Sequence, residues 1–400
     1  MTDEPVKVNP ILLRKCREQL NLSIEEAEKE AKLNTLAQME QGGKEPTYKQ
    51  LIELAKLYLV GPGVFFLKGD QIPEHSNFQH LIPKYRTLQQ EPKRSFHMIR
   101  LMIKVIHLRG FLLDLYEDLE EEISVFSPPK IQLISTQAAI EAAQKIRTWL
   151  GFGSDDTPTF DEWRRAIENK GVFVFMTSRY THWSKIAIED CRGFAFNLPP
   201  LPIIVINDSD TYKAQLFSLM HELGHLLYGG ESVLDSGDDF SHASWNQDQI
   251  FSNQDSEEER ICNRFAAEIL VPAGALLQNL PDGFSDFTIE EKWKTCQKTA
   301  KKFNVSALMI SYRMVTLKKI TETDSRKIRQ LIKEEYTNKL SASKGWGSRN
   351  IPKEKLKQYG SIYVQGVLGA YYAKEMTLHK LCQNLSFRTV EDVKKLEELM

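Results

Sequence analysis

The stretch "LFSLMHELGHLLYGG" at 216–230 constrains the fold of this chain more than any other. It is apolar on nearly every helical face, so a helix here has to be buried inside a folded domain. Yet it carries two imidazoles and a carboxylate, His221, His225 and Glu222, and burying such groups costs free energy unless partners are supplied. Positions i and i+4 lie one turn apart on the same face, so His221 and His225 can reach a single ion. Zinc accepts imidazole nitrogens and carboxylate oxygens, and a catalytic zinc site has three protein ligands plus one open position. Glu222 stands one position further round the helix, where a general base for a water at such an ion is wanted. By chance H-E-x-x-H arises in on the order of one chain in a hundred of this histidine content, so the third ligand matters.

The helix read in "SEEERICNRFAAEIL" is the best source of that ligand. Ile261, Cys262, Phe265, Ala266, Ile269 and Leu270 define its inward face by helical spacing. Glu258 projects nearest the middle of that face and Glu259 sits at its edge, so periodicity by itself leans toward Glu258. The acids also suit the first turn of any helix, where they complement its dipole. His242, in "FSHAS", is a competing donor from a loop.

Four hundred residues exceed one ordinary core, so two to four domains are expected. With 42% hydrophobic and 26% charged residues and a net charge of −2, the composition is that of a soluble globular protein. It offers no whole-chain electrostatic ground for nucleic-acid or membrane binding. There is no run of about 18 apolar residues, and "MTDEPVKVNP" lacks a basic-then-apolar signal pattern, so a cytoplasmic protein is expected. Cys16, Cys191, Cys262, Cys296 and Cys382 are scattered without any C-x-x-C pair and read as reduced thiols.

Along the chain, residues 10–70 read as short helices, with Ser23 as an N-cap, and 71–86 as irregular. A long apolar helix follows in "RSFHMIRLMIKVIHLRGFLLDLYEDLEEE", and "SVFSPPK" at 124–130 marks a boundary. Helices in "STQAAIEAAQKIRTWLG" and "TFDEWRRAIENKG" precede three strand candidates, "VFVFM", "CRGFAFN" and "PIIVIND". A polar loop at 231–255 separates the two helices that carry the candidate ligands. Only helices and loops follow Pro272, with a polar joint at 341–350. The fold class is therefore α+β and mostly helical, divided as 1–70, 71–130, 131–320 and 321–400.

"LFSLMHELGHLLYGG" followed by "ERICNRFAAEILVP" resembles the ImmA/IrrE family of bacterial zinc metallopeptidases, whose pattern is H-E-x-x-H and later E-x-x-A/C-N-x-x-A-A-x-x-L-x-P. The resemblance implies a zincin-like peptidase domain with a small sheet, Zn2+ as cofactor, His221, His225 and Glu259 as ligands and Glu222 as the catalytic glutamate. It thus chooses Glu259 where periodicity leaned to Glu258. It also implies a narrow protein substrate or partner of the repressor or toxin–antitoxin kind. An extended peptide is expected to reach the metal by pairing with an edge strand such as "PIIVIND". Tyr228 and His242 are candidates for stabilising an oxyanion. The family usually has a basic residue before the Phe of the metal helix, where this chain has "KAQLF".

The first 70 residues resemble a Cro/repressor-type helix-turn-helix, which implies DNA binding and transcription regulation; a homodimer is a further expectation. The turn and start of the recognition helix are about two residues short. Ten Lys and Arg stand against eleven Asp and Glu in this segment, which gives no net positive charge for phosphates. Asn34, Thr35 and Gln38 are the short polar side chains expected to face base edges. A module used for dimerisation or partner contact is the alternative. For the whole chain, the alternative is a DNA-binding regulator or antitoxin-like binding protein whose metal site is not catalytic.

Overall fold

Helix caps written in the sequence set the boundaries of the N-terminal helices. The computed structural model describes residues 4–73, 95–181, 184–188, 190–229, 233–235, 257–340 and 350–400. The described residues form two compact units, the first from the N-terminus through 108 and the second from Arg109 to Met400. In the first, α1 (Pro10–Gln19) is capped by Asn9, and α2 (Ile24–Ala31) and α4 (Tyr48–Tyr58) each begin with a capping box, Ser23 with Glu26 and Thr47 with Gln50. Between them α3 (Leu36–Glu40) spans five residues. Thr35 makes no side-chain cap there; the Glu28 carboxylate instead accepts from the Leu36 amide at 2.8 Å.

Leu13, Cys16, Leu36, Met39, Leu51, Leu54 and Phe65 fill the centre of this unit. Arg17 locks α1 to α3 through a two-pronged pair with Glu40, at 2.7 and 2.9 Å, and also donates to the Leu22 carbonyl. Phe96, Ile99 and Ile103, from the start of α5 (Phe96–Asp118), join the same core.

The second unit is built on a four-stranded sheet of β1 (Phe173–Met176), β2 (Gly193–Phe196), β3 (Ile203–Ile206) and β4 (Val233–Asp235), in the order β1-β3-β2-β4. β1 runs parallel to β3, and β2 runs antiparallel to both β3 and β4. "PIIVIND" is therefore an inner strand and not an edge: its apolar run is continuous because helices cover both sheet faces. β4 arises inside the stretch expected to be only a polar loop. It is three residues long, too short for alternation to reveal it.

Val174, Met176, Ala195, Ile204 and Ile206 face a core shared with α6 (Thr136–Trp149), α7 (Phe160–Glu168) and α8 (Tyr212–Tyr228). Alternation sends Phe173 and Phe175 to the other face. There they meet Tyr363 and Tyr359 of α14 (Ile351–Tyr372), with ring centroids 5.9 Å apart in each pair.

α14 breaks at Gly360, where φ is +81°. A Cβ at that position would sit 2.1 Å from the Glu168 carboxylate. Glu168 is buried against Arg164 at 2.9 Å and accepts from the Ser361 amide at 3.0 Å, while Arg164 donates to the carbonyls of Val174 and Lys357. The helices expected at 321–400 thus complete the unit that holds the sheet.

The remaining helices are α9 (Glu257–Leu270), α10 (Ala273–Gln278), α11 (Ile289–Lys302), α12 (Ala307–Thr316), α13 (Glu322–Leu340), α15 (Leu378–Leu385) and α16 (Val390–Glu397). Nearly all of the irregular stretch 71–86, most of the polar loop and most of the joint at 341–350 lie outside the described residues. Among the described residues no helix is long and apolar enough to cross a membrane. All five cysteines are free thiols, and burial pushes Cys16 and Cys296 up to about 12.

Candidate metal centre

α8 starts at Thr211, whose hydroxyl caps it, and ends at Gly229 in the left-handed conformation. Its N-terminus is fastened to the sheet by Gln215, which donates to the carbonyls of Asp208 and Asp210. A buried ion pair between Arg192 and Asp210 ties the residue before β2 to the same corner.

α9 crosses α8 at Gly224. A Cβ there would lie 3.3 Å from both Cys262 Cβ and Phe265 Cδ1, so the absence of a side chain sets how closely the helices approach. Buried arginines hold the far end of α9. Arg147 donates to the Ile269 carbonyl, and Arg313 pairs with Glu268 and donates to the Val271 carbonyl.

This close crossing brings the first turn of α9 onto the two histidines. His221 Nε2 and His225 Nε2 are 3.0 Å apart. The two oxygens of Glu259 lie 3.2 Å from the first and 3.4 Å from the second. Phe217 stacks on the His221 ring at 6.2 Å and helps fix its plane.

Glu258 and Glu259 address opposite nitrogens of one ring. Glu258 Oε1 lies 3.1 Å from His225 Nδ1, and Cys262 Sγ lies 3.6 Å from the same nitrogen. Periodicity leaned toward Glu258, but Glu259 is the one grouped with both Nε2 atoms.

Glu222 is fully buried beside β2. A Cβ at Gly193 would be 3.0 Å from its Oε1 and 3.1 Å from the Val205 carbonyl, so Gly193 makes room for the carboxylate.

The electrostatics agree with a cation site. Burial alone would lower the proton affinity of His225, but Cys262, Glu259 and Glu258 around it raise it well above the usual imidazole value. Burial alone would raise Glu259, but His225 and His221 hold it far below the usual carboxylate range. Two neutral imidazoles cannot both aim lone pairs at each other across 3.0 Å without a cation or a shared proton. Two imidazoles and a carboxylate, all with donor atoms within 4.8 Å of one another, form a set that fits a divalent metal.

Of the other expected residues, Tyr228 is partly buried against the core one turn beyond His225. His242 lies outside the described residues. Asn34, Thr35 and Gln38 belong to the first unit, where Asn34 and Gln38 are exposed and Thr35 is half-buried. The parts that sequence reasoning missed are Gly193, Gly224 and the second contact to His225. The glycine inside H-E-L-G-H, on an otherwise apolar helix, is the available signal for a close helix crossing.

Comparison with known families agrees with this layout. Residues 174–315 match the family model described as IrrE N-terminal-like domain, a peptidase family, and residues 13–65 match the model described as Helix-turn-helix. No curated protein is matched by the chain. The first matched segment runs from within β1 to within α12, so it encloses α8 and α9 and leaves α14 outside.

Proposed function

We propose that the protein is a zinc-dependent endopeptidase of regulatory type, with His221, His225 and Glu259 as metal ligands and Glu222 as general base. The observation that carries this reading is the convergence of both Nε2 atoms and the Glu259 carboxylate, with Glu222 on the adjoining face of the same helix. A zinc ion held there would supply Lewis acidity, polarising a peptide carbonyl and lowering the pKa of water. Glu222 takes a proton from the attacking water at its carboxylate and returns it to the leaving amine. Gly193, having no side chain, leaves that carboxylate its room beside β2. Phe217, stacked on His221, keeps bulk solvent off one face of the ligand ring.

Among the described residues the sheet ends on β4 next to β2, the strand beside Glu222, and an extended peptide would add to the sheet on that side. The match to a helix-turn-helix supports a regulatory setting: a repressor- or antitoxin-like protein as substrate, with DNA contacted through Asn34, Thr35 and Gln38. That match also favours a second reading, a DNA-binding regulator whose metal site does no chemistry.

Zinc analysis of purified protein tests the ligand set. Wild type should hold one zinc per chain and Glu259→Ala should hold almost none. Zinc retained at full stoichiometry in Glu259→Ala would refute the assignment.

A further inference from the structure

His225 uses both ring nitrogens, and only one of them belongs to the metal donor set. Nε2 points at His221 and Glu259, while Nδ1 points at Glu258 Oε1, 3.1 Å away. A neutral imidazole has one N–H and one lone pair, so whichever nitrogen donates a hydrogen bond decides which can bind a metal. A carboxylate accepts and cannot donate. With Glu258 ionised, the proton of His225 is placed on Nδ1 and the lone pair is left on Nε2, facing the donor set. Glu258 is itself 8% exposed, so little water competes for its oxygen.

We propose that Glu258 is a positioning residue for the metal centre: it accepts from His225 Nδ1–H, fixes the ring's tautomer and orientation, and so tightens zinc binding without being a ligand. The proposal rests on the zinc reading above. It gives separate roles to two of the three acids that open α9: Glu259 meets the lone-pair side of His225 and Glu258 its N–H side. Cys262 also approaches Nδ1, but at 3.6 Å, and sulfur is a weak acceptor. It packs the ring from the next turn of α9, and Glu258 supplies the directional contact. Partners of this kind behind a metal-binding histidine are worth about 10- to 100-fold in metal affinity.

The test is a zinc competition titration against a chromogenic chelator, run on the full chain as wild type, Glu258→Ala, Glu258→Gln, Cys262→Ala and Glu259→Ala. Folding is checked by circular dichroism, and the visible spectrum is recorded with cobalt(II) in place of zinc. Glu258→Ala should still bind one zinc, about 10- to 100-fold more weakly, with the wild-type cobalt spectrum. Glu258→Gln keeps an acceptor oxygen and should lie between Glu258→Ala and wild type. Cys262→Ala should stay within a few-fold of wild type, and Glu259→Ala should lose the wild-type cobalt spectrum.

Wild-type affinity in Glu258→Ala would overturn the proposal alone, as would a cobalt spectrum altered by loss of Glu258 and untouched by loss of Glu259. If Glu258→Ala does not fold, Glu258→Gln decides: an affinity as low as that of Glu259→Ala overturns the positioning role. Wild type that takes up no zinc would overturn the metal reading and this proposal together.

Discussion

At the scale of single residues, the proposed centre would set protons against metal for the same nitrogens. The surroundings raise the proton affinity of His225 above its usual value, although burial works against this. A raised pKa means that His225 holds a proton at pH values where an ordinary imidazole has released it. Zinc then has to displace that proton, so apparent zinc affinity falls as pH falls, and the decline begins above pH 6.5, the reference value for His. Zinc competition titrations between pH 8 and pH 5.5 should show a slope approaching tenfold per pH unit for each proton displaced, as an order-of-magnitude expectation. A flat profile across that range would contradict the placement of His225 among these acids.

At the scale of elements, the site is a crossing of two helices with a glycine at the contact point. Gly224→Val would force a side chain against Cys262 and Phe265, where even a Cβ has only 3.3 Å. The expected cost is about 1–3 kcal/mol of stability, accompanied by weaker zinc binding because Glu259 is carried away from the histidines. Thermal melts and zinc content check both; an unchanged melt with full zinc would show that the crossing tolerates bulk.

The elements themselves were largely legible. Ser23, Thr159 and Thr288 each start a helix with a glutamate three residues on, and all three capping boxes form. β1, β2 and β3 were legible as short apolar runs ended by turn residues. Their order was not, because an apolar run buried on both faces looks alike at the edge and in the middle of a sheet. β3 is therefore inside, where an edge was expected. Periodicity leaned to Glu258 rather than Glu259 for a related reason. Adjacent residues differ by one step round a helix, and only the packing of α9 on α8 decides which nitrogen each acid meets.

At the scale of the whole molecule, the unit that holds the metal centre reaches beyond the segment that matches the peptidase family. α14 supplies Tyr359 and Tyr363 to the aromatic face of β1 and closes over the buried Arg164–Glu168 pair. Its sequence shows an amphipathic helix but cannot show which surface it covers. A protein ending at Leu340 should therefore expose Phe173 and Phe175, bind a hydrophobic dye and aggregate; a soluble, cooperatively melting product would contradict this account of α14. Residues 1–70, which contain the helix-turn-helix match, carry no net positive charge, so this segment has no general electrostatic attraction for phosphates.

The central claim is that Glu222 performs chemistry at this centre. The most direct measurement incubates zinc-loaded wild type and Glu222→Gln with a proteome-derived peptide library and maps new termini by mass spectrometry. New termini should appear with wild type and fall by about 100-fold or more with Glu222→Gln, while both proteins hold the same zinc. Equal cleavage by the two, or none by fully zinc-loaded wild type, would contradict it.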